Sequence, residues 1–160
     1  MKELSVIPKE GIRVTWLGHS TLLIQMERIN LLTDPMFSER SGPVKSKFVP
    51  KRYRPVPCSI NDLPKIDAVI ISHSCYDHLD TASVKQLNDR FGSDLVWFVP
   101  KQLKTWLTDT NCISVIELDW WEEAFMRSPE DGKEISFVFT PAQFWSKRNL
   151  TDNNKVKPIV

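Results

Sequence analysis

Apolar residues in this chain fall in short runs, some alternating with polar residues and some continuous, separated by turn signals. Ile12-Arg13-Val14-Thr15-Trp16-Leu17 alternates and stops at Gly18, which predicts a strand followed by a turn. Residues 21–26 and 30–33 predict a second and a third strand. The run Ala68-Val69-Ile70-Ile71 is short and β-branched, and predicts a buried strand. Leu95 to Val99, closed by Pro100, predicts another, as do Ser114 to Leu118 and, after a turn at Gly132, Glu134 to Thr140. Helical spacing appears twice. Thr81 to Phe91 carries Ala82, Val84, Leu87 and Phe91, with Asp80 placed to cap its start and Gly92 to stop it. Lys101 to Thr108 places Leu103, Trp106 and Leu107 on one face. Strands interrupted by helices predict a mixed α/β chain with no internal repeat and no low-complexity segment.

Composition narrows this only a little. The 160 residues suffice for one domain with its own core, and 41% apolar with 26% charged residues is ordinary for a globular chain. A net charge of +1 exerts no global pull on nucleic acid or membrane. Three scattered cysteines, Cys58, Cys75 and Cys112, do not make a disulfide framework. The first ten residues hold no apolar run of signal-peptide length, and no stretch approaches the ~20 apolar residues that span a bilayer. The expectation is a cytoplasmic protein, soluble or peripheral on internal membranes. One segment departs from this evenness. Within the long connection 36–64, residues 45–54 carry five cations, no anions and two aromatics. Such a loop attracts lipid phosphates at ~1 kcal/mol per cation near an anionic surface, or a nucleic-acid backbone, or is a solvated loop.

Candidate chemistry gathers directly after the buried strand at 68–71. His73, Cys75, Asp77, His78 and Asp80 lie within eight residues, in the order H-x-C-x-D-H. Ligands placed where a strand emerges are held rigidly, as a metal or active site requires. His19 lies in a turn between strands, where a histidine is more often a structural hydrogen-bonder than a ligand. Asp34-Pro35 closes the third strand as a turn initiator.

The loop resembles the H-x-H-x-D-H zinc motif of the metallo-β-lactamase fold, with Cys75 in place of the second histidine. Val14 to Ser20, Leu32 to Pro35, Tyr76 to Asp80, Ile116 to Glu123 and Thr140 to Gln143 resemble its N-acyl-phosphatidylethanolamine-hydrolysing phospholipase D branch. The resemblance implies an αββα sandwich, of which this chain holds mainly the N-terminal half. It divides the chain into an N-terminal extension (1–10), a partial metallo-β-lactamase-like domain (11–156) and an unmatched tail (157–160). It also implies two zinc ions, with His73 and Cys75 on one and Asp77 and His78 on the other. Asp77 would orient or deprotonate the attacking water, Asp34 would support the metal loop from behind, Tyr76 would touch the phospholipid, and Lys147 would bind a bile acid. A homodimer belongs to the same set of expectations. Nucleic acid is the less favoured partner, although other branches of the fold are nucleases.

Three departures bear on activity. A thiolate at Cys75 can bind zinc at ~2.3 Å but weakens it as a Lewis acid. Phe144 stands where the branch has histidine, and the late segment carrying a bridging aspartate and a last histidine is not matched. The expectation is at most two protein ligands per metal, zinc that is weak, single or absent, and hydrolysis lost or much reduced. The alternative is a non-catalytic lipid- or partner-binding module using the basic loop. An exposed sheet face is expected from the missing half.

Overall fold

The computed structural model describes residues 4–42, 48–49, 51–145, 148 and 156–159, with backbone alone for 143–145 and 156–159. Six strands form one mixed sheet in chain order. β1 (Arg13–Gly18), β2 (Thr21–Met26) and β3 (Ile29–Thr33) are antiparallel neighbours joined by tight turns. β4 (Ala68–Ile70), β5 (Val96–Pro100) and β6 (Ser114–Leu118) then run parallel to β3. Parallel neighbours need crossovers. Helices α1 (Thr81–Phe91) and α2 (Lys104–Asp109) supply two of them, and the long connection after β3 supplies the first.

Side-chain alternation sends successive residues of each strand to opposite faces. Leu23, Leu32, Val69, Trp97 and Val115 join Val84 and Leu87 of α1 and Leu107 of α2 in one buried cluster. Leu31, Ala68, Phe98 and Leu118 form a second cluster on the other face. That face is covered by a hairpin of β7 (Glu123–Arg127) and β8 (Glu134–Val138), whose Ala124, Met126, Ile135 and Phe137 turn inward. Phe137 stacks on Phe98 with ring centroids 4.0 Å apart. The layers are therefore helices, sheet and a second small sheet, in keeping with most of an αββα sandwich. β9 (Ala142–Trp145) and β10 (Val156–Ile159) form a further antiparallel pair.

β7 is absent from the elements that the sequence predicts. Its outward residues are Glu123, Phe125 and Arg127. Trp120 and Trp121, just before it, lie 41% and 70% exposed in the turn that enters β7. Trp121 is in the left-handed region at φ +65°, and the turn is closed by Glu122 N donating to Asp119 O. The short helix begins at Lys104 rather than Lys101, because Gln102 at φ +75° turns the chain first. In the N-terminal extension, Leu4 packs against the first cluster and its carbonyl accepts from Gln25 Nε2 at 3.0 Å.

Candidate metal centre

The H-x-C-x-D-H segment leaves the C-terminal end of β4, the end of parallel strands where open α/β sheets place their ligands. Cys75 O accepts from His78 N and Leu79 N, so residues 75–79 fold as a helical turn. Fully buried Leu79 anchors that turn in the core. Asp80 caps α1 as its sequence position predicts, accepting from Ala82 N, Ser83 N and Ser83 Oγ, and also from Ser38 N. The loop is thus fastened at both ends.

Asp34 fastens it from the side. This residue sits at the end of β3 with φ +35°, and its amide donates to Ile70 O, extending the ladder into the loop. Its carboxylate accepts from Ser72 N at 2.7 Å, from Ser72 Oγ at 2.5 Å and from His78 Nδ1 at 2.8 Å. Ser72 Oγ also lies 2.8 Å from His73 Nδ1. A carboxylate at Nδ1 places that proton between His78 and Asp34, which leaves Nε2 of neutral His78 with its lone pair outward. Burial lowers the His78 pKa, but the Asp34 hydrogen bond and charge more than offset it, and the net shift is upward. His73 behaves differently. Burial, aided by neighbouring His78, pushes its pKa down to about 4, so it is neutral at physiological pH as a metal ligand must be.

Two groups of donor atoms come together among the described residues: His19 with Asp77 and His78, and Asp34 with His73 and His78. In the first group His19 Nε2 lies 3.0 Å from Asp77 Oδ2 and 3.3 Å from His78 Nε2, and Asp77 Oδ2 lies 3.5 Å from His78 Nε2. Imidazole and carboxylate donors suit zinc and its first-row neighbours, so the residues present fit a divalent ion. Of the residues expected at a metal, Asp77 joins His78 in one group and His73 joins His78 in the other, while half-buried Cys75 is in neither. His19, expected as a structural hydrogen-bonder in a turn, reaches the first group from the turn between β1 and β2. The only signal available was its place in Gly18-His19-Ser20 at a strand end. Its backbone, at φ +51°, is held by Trp16 Nε1 donating to His19 O at 2.9 Å.

His19 and Asp77 lie at one side of a groove of about 650 Å³ that continues over Trp16, Arg52, Tyr53 and Arg54. The cations beside it are not equivalent. Lys51 pairs with Glu39 at 2.6 Å. Arg52 is a clamp rather than a solvated charge, because its guanidinium donates to the carbonyls of Met36 and Leu17. It packs against Gly18, where a Cβ would meet Arg52 Nη2 at 2.3 Å and where φ is +109°. Arg54 and Tyr53 are exposed. Lys45, Lys47 and Lys147 lie outside the described residues, as does the side chain of Phe144. Tyr76 donates its hydroxyl to Arg148 O at 2.8 Å. The Arg148 guanidinium lies over the Tyr76 and Trp106 rings, 4.5 and 4.3 Å from their centroids, and donates to Ser74 O and Leu79 O.

Comparison with known proteins agrees with this architecture. Residues 29–159 match the family described as the β-lactamase superfamily domain. The chain is 37% identical over 151 residues to N-acyl-phosphatidylethanolamine-hydrolyzing phospholipase D 1 of Caenorhabditis elegans, covering 91% of this chain and 41% of that protein. It is 36% identical over 141 residues to the mitochondrial N-acyl-phosphatidylethanolamine-hydrolyzing phospholipase D of Saccharomyces cerevisiae, covering 88% and 29%. The chain therefore spans less than half the length of these relatives. Among solved structures, an isothiocyanate hydrolase from Delia radicum gut bacteria shares the fold at TM-score 0.55 and 18% identity, over 71% of this chain and 48% of that one. A metallo-hydrolase from Ignicoccus hospitalis does so at TM-score 0.52 and 18% identity, over 79% and 56%. With the matched region covering most of the sequence and the donor loop at the end of its parallel strands, the chain belongs to the metallo-β-lactamase superfamily.

Proposed function

We propose that this chain is a zinc-binding domain of the phospholipase D type, whose inherited reaction is hydrolysis of N-acyl-phosphatidylethanolamine, and that by itself it hydrolyses little or none of it. The observation that carries the reading is Asp77 next to His78, whose Nδ1 is held by Asp34, at the edge of a groove with aromatic and cationic walls. In the inherited reaction water attacks phosphorus, the bond from phosphorus to the ethanolamine oxygen breaks, and the water proton ends on the leaving alcohol. The products are phosphatidic acid and an N-acylethanolamine. Zinc, when bound, lowers the pKa of water and polarises a phosphoryl oxygen. The Asp77 carboxylate, its side chain 42% exposed, is placed to orient that water and relay its proton to the leaving alcohol. Arg54 draws the phosphodiester, while Trp16 and Tyr53 offer apolar contact to the acyl chains. Low turnover follows from Cys75, which stands outside both donor groups at a position where the branch places a histidine ligand.

The test is incubation of the zinc-loaded chain with mixed micelles of N-acyl-phosphatidylethanolamine, reading phosphatidic acid and N-acylethanolamine by mass spectrometry. Association with the micelles and trace turnover, raised by the double change Cys75→His and Phe144→His, is the expected result. Turnover by the parent that the double variant does not exceed would overturn the low-activity claim, and no association with the lipid would overturn the substrate class.

A further inference from the structure

The donor triad brings potential ligand atoms from two separate loops to one point. His19 Nε2, Asp77 Oδ2 and His78 Nε2 face one another at 3.0, 3.3 and 3.5 Å. With His78 Nδ1 donating to Asp34, the Nε2 of neutral His78 is a lone pair, and Asp77 Oδ2 is another. All three atoms can turn a lone pair toward a cation placed among them, and they lie close enough together to share one. The spacing agrees with this. Tetrahedral zinc with bonds of about 2.0–2.1 Å sets its ligand atoms roughly 3.3–3.4 Å apart, close to the mean separation here.

We propose that His19 Nε2, Asp77 Oδ2 and His78 Nε2 form a three-ligand site for a single zinc-class divalent cation, with His19 as a direct ligand. The family resemblance gives His19 no metal role, and counts only Asp77 and His78 from this chain at their metal. The third donor comes from the turn between β1 and β2, 58 residues before Asp77. Three protein ligands leave one position open, as in catalytic rather than structural zinc sites. That position gives onto the groove, because His19 and Asp77 both line it. Two supports orient the ligands: Asp34 on Nδ1 of His78, and Trp16 on the His19 carbonyl. Cys75 plays no part in this site. The inference shares with the functional reading a metal at Asp77 and His78, and stands without any turnover.

The experiment is titration of the metal-free 160-residue chain with cobalt(II), read by visible and near-ultraviolet absorption and by competition with zinc. The parent, Cys75→Ser and His19→Asn are compared. Asparagine is chosen because it tolerates the left-handed backbone at φ +51°. One ion per chain is expected, with visible bands of low coordination number and no thiolate-to-cobalt charge-transfer band. Cys75→Ser should match the parent, and His19→Asn should bind ~10–100-fold more weakly or worse, since loss of a supporting residue alone costs that much. X-ray absorption at the zinc edge of the parent, which needs no variant, should show two imidazoles and no sulfur. A charge-transfer band lost in Cys75→Ser, a sulfur neighbour at the edge, unchanged affinity in folded His19→Asn, or no binding by the folded parent would each overturn the proposal. Metal bound as described, with no lipid association or turnover, would sink the phospholipase reading and leave this one standing.

Discussion

Asp34 carries more of this site than its place in a turn suggests. One carboxylate joins the Ser72 amide, the Ser72 hydroxyl and His78 Nδ1, and thereby aims the His78 lone pair and sets the start of the loop. Asn in its place keeps an acceptor oxygen but removes the charge that draws the Nδ1 proton. Asp34→Asn is therefore expected to lower zinc affinity by ~10–100-fold with little change in fold, measured by competition against a chelating dye beside a far-ultraviolet spectrum. Unchanged affinity would show that the His78 tautomer does not depend on Asp34. Asp34 was legible as a candidate support only through the family resemblance, since Asp-Pro at a strand end reads equally well as a turn initiator. His19 was not: a histidine in a turn is chemically ambiguous until its neighbours across the sheet are known.

The elements with a strong local signature are those the sequence places best. α1 spans Thr81–Phe91 as its apolar spacing and its flanking Asp80 and Gly92 indicate. Its cap is more than local. Besides the two helix amides, Asp80 accepts from Ser83 Oγ and Ser38 N, so it ties the helix to the connection after β3. Asp80→Ala should cost about 1–2 kcal/mol, at the upper end for a lost cap because buried donors are left behind. A shift in urea midpoint at unchanged slope would measure it, and a cost near zero would mean that water replaces the carboxylate. β7 was missed because Glu123-Ala-Phe-Met-Arg127 follows a tryptophan- and acid-rich turn that resembles loop chemistry. What makes it a strand is Ala124 and Met126 finding the second core cluster.

At the scale of the molecule, the sheet is covered unevenly. Its helical face is closed by α1 and α2, and the hairpin covers the opposite face over β3 to β6. On β1, Val14 pairs with Ile24 and Trp16 with Leu22 in the antiparallel register, yet Val14 is 56% exposed. Phe125 on the outer side of the hairpin is 54% exposed. Exposed apolar strand faces of this kind invite contact with another surface. We expect association that rises with concentration in analytical ultracentrifugation, and that falls in the double variant Val14→Lys with Phe125→Lys. A monomer at every concentration would remove the case for a self-complementary face. No helix among the described residues is long and apolar enough to cross a membrane.

Sequence alone determined β1 to β6 and β8, the capped helix and the H-x-C-x-D-H loop, because each is written in residues a few positions apart and obeys a local period. It also marked Asp77, His78 and His73 as donors, since the strand before them sets their direction. Only the tertiary structure decided that His19 and Asp34 meet that loop, that Arg52 serves as a clamp on Gly18, and that Cys75 stays outside the donor groups. Those outcomes depend on which strands become neighbours. That choice is made by burying two apolar faces at once, over separations such as the 58 residues between His19 and Asp77, and no local pattern records it.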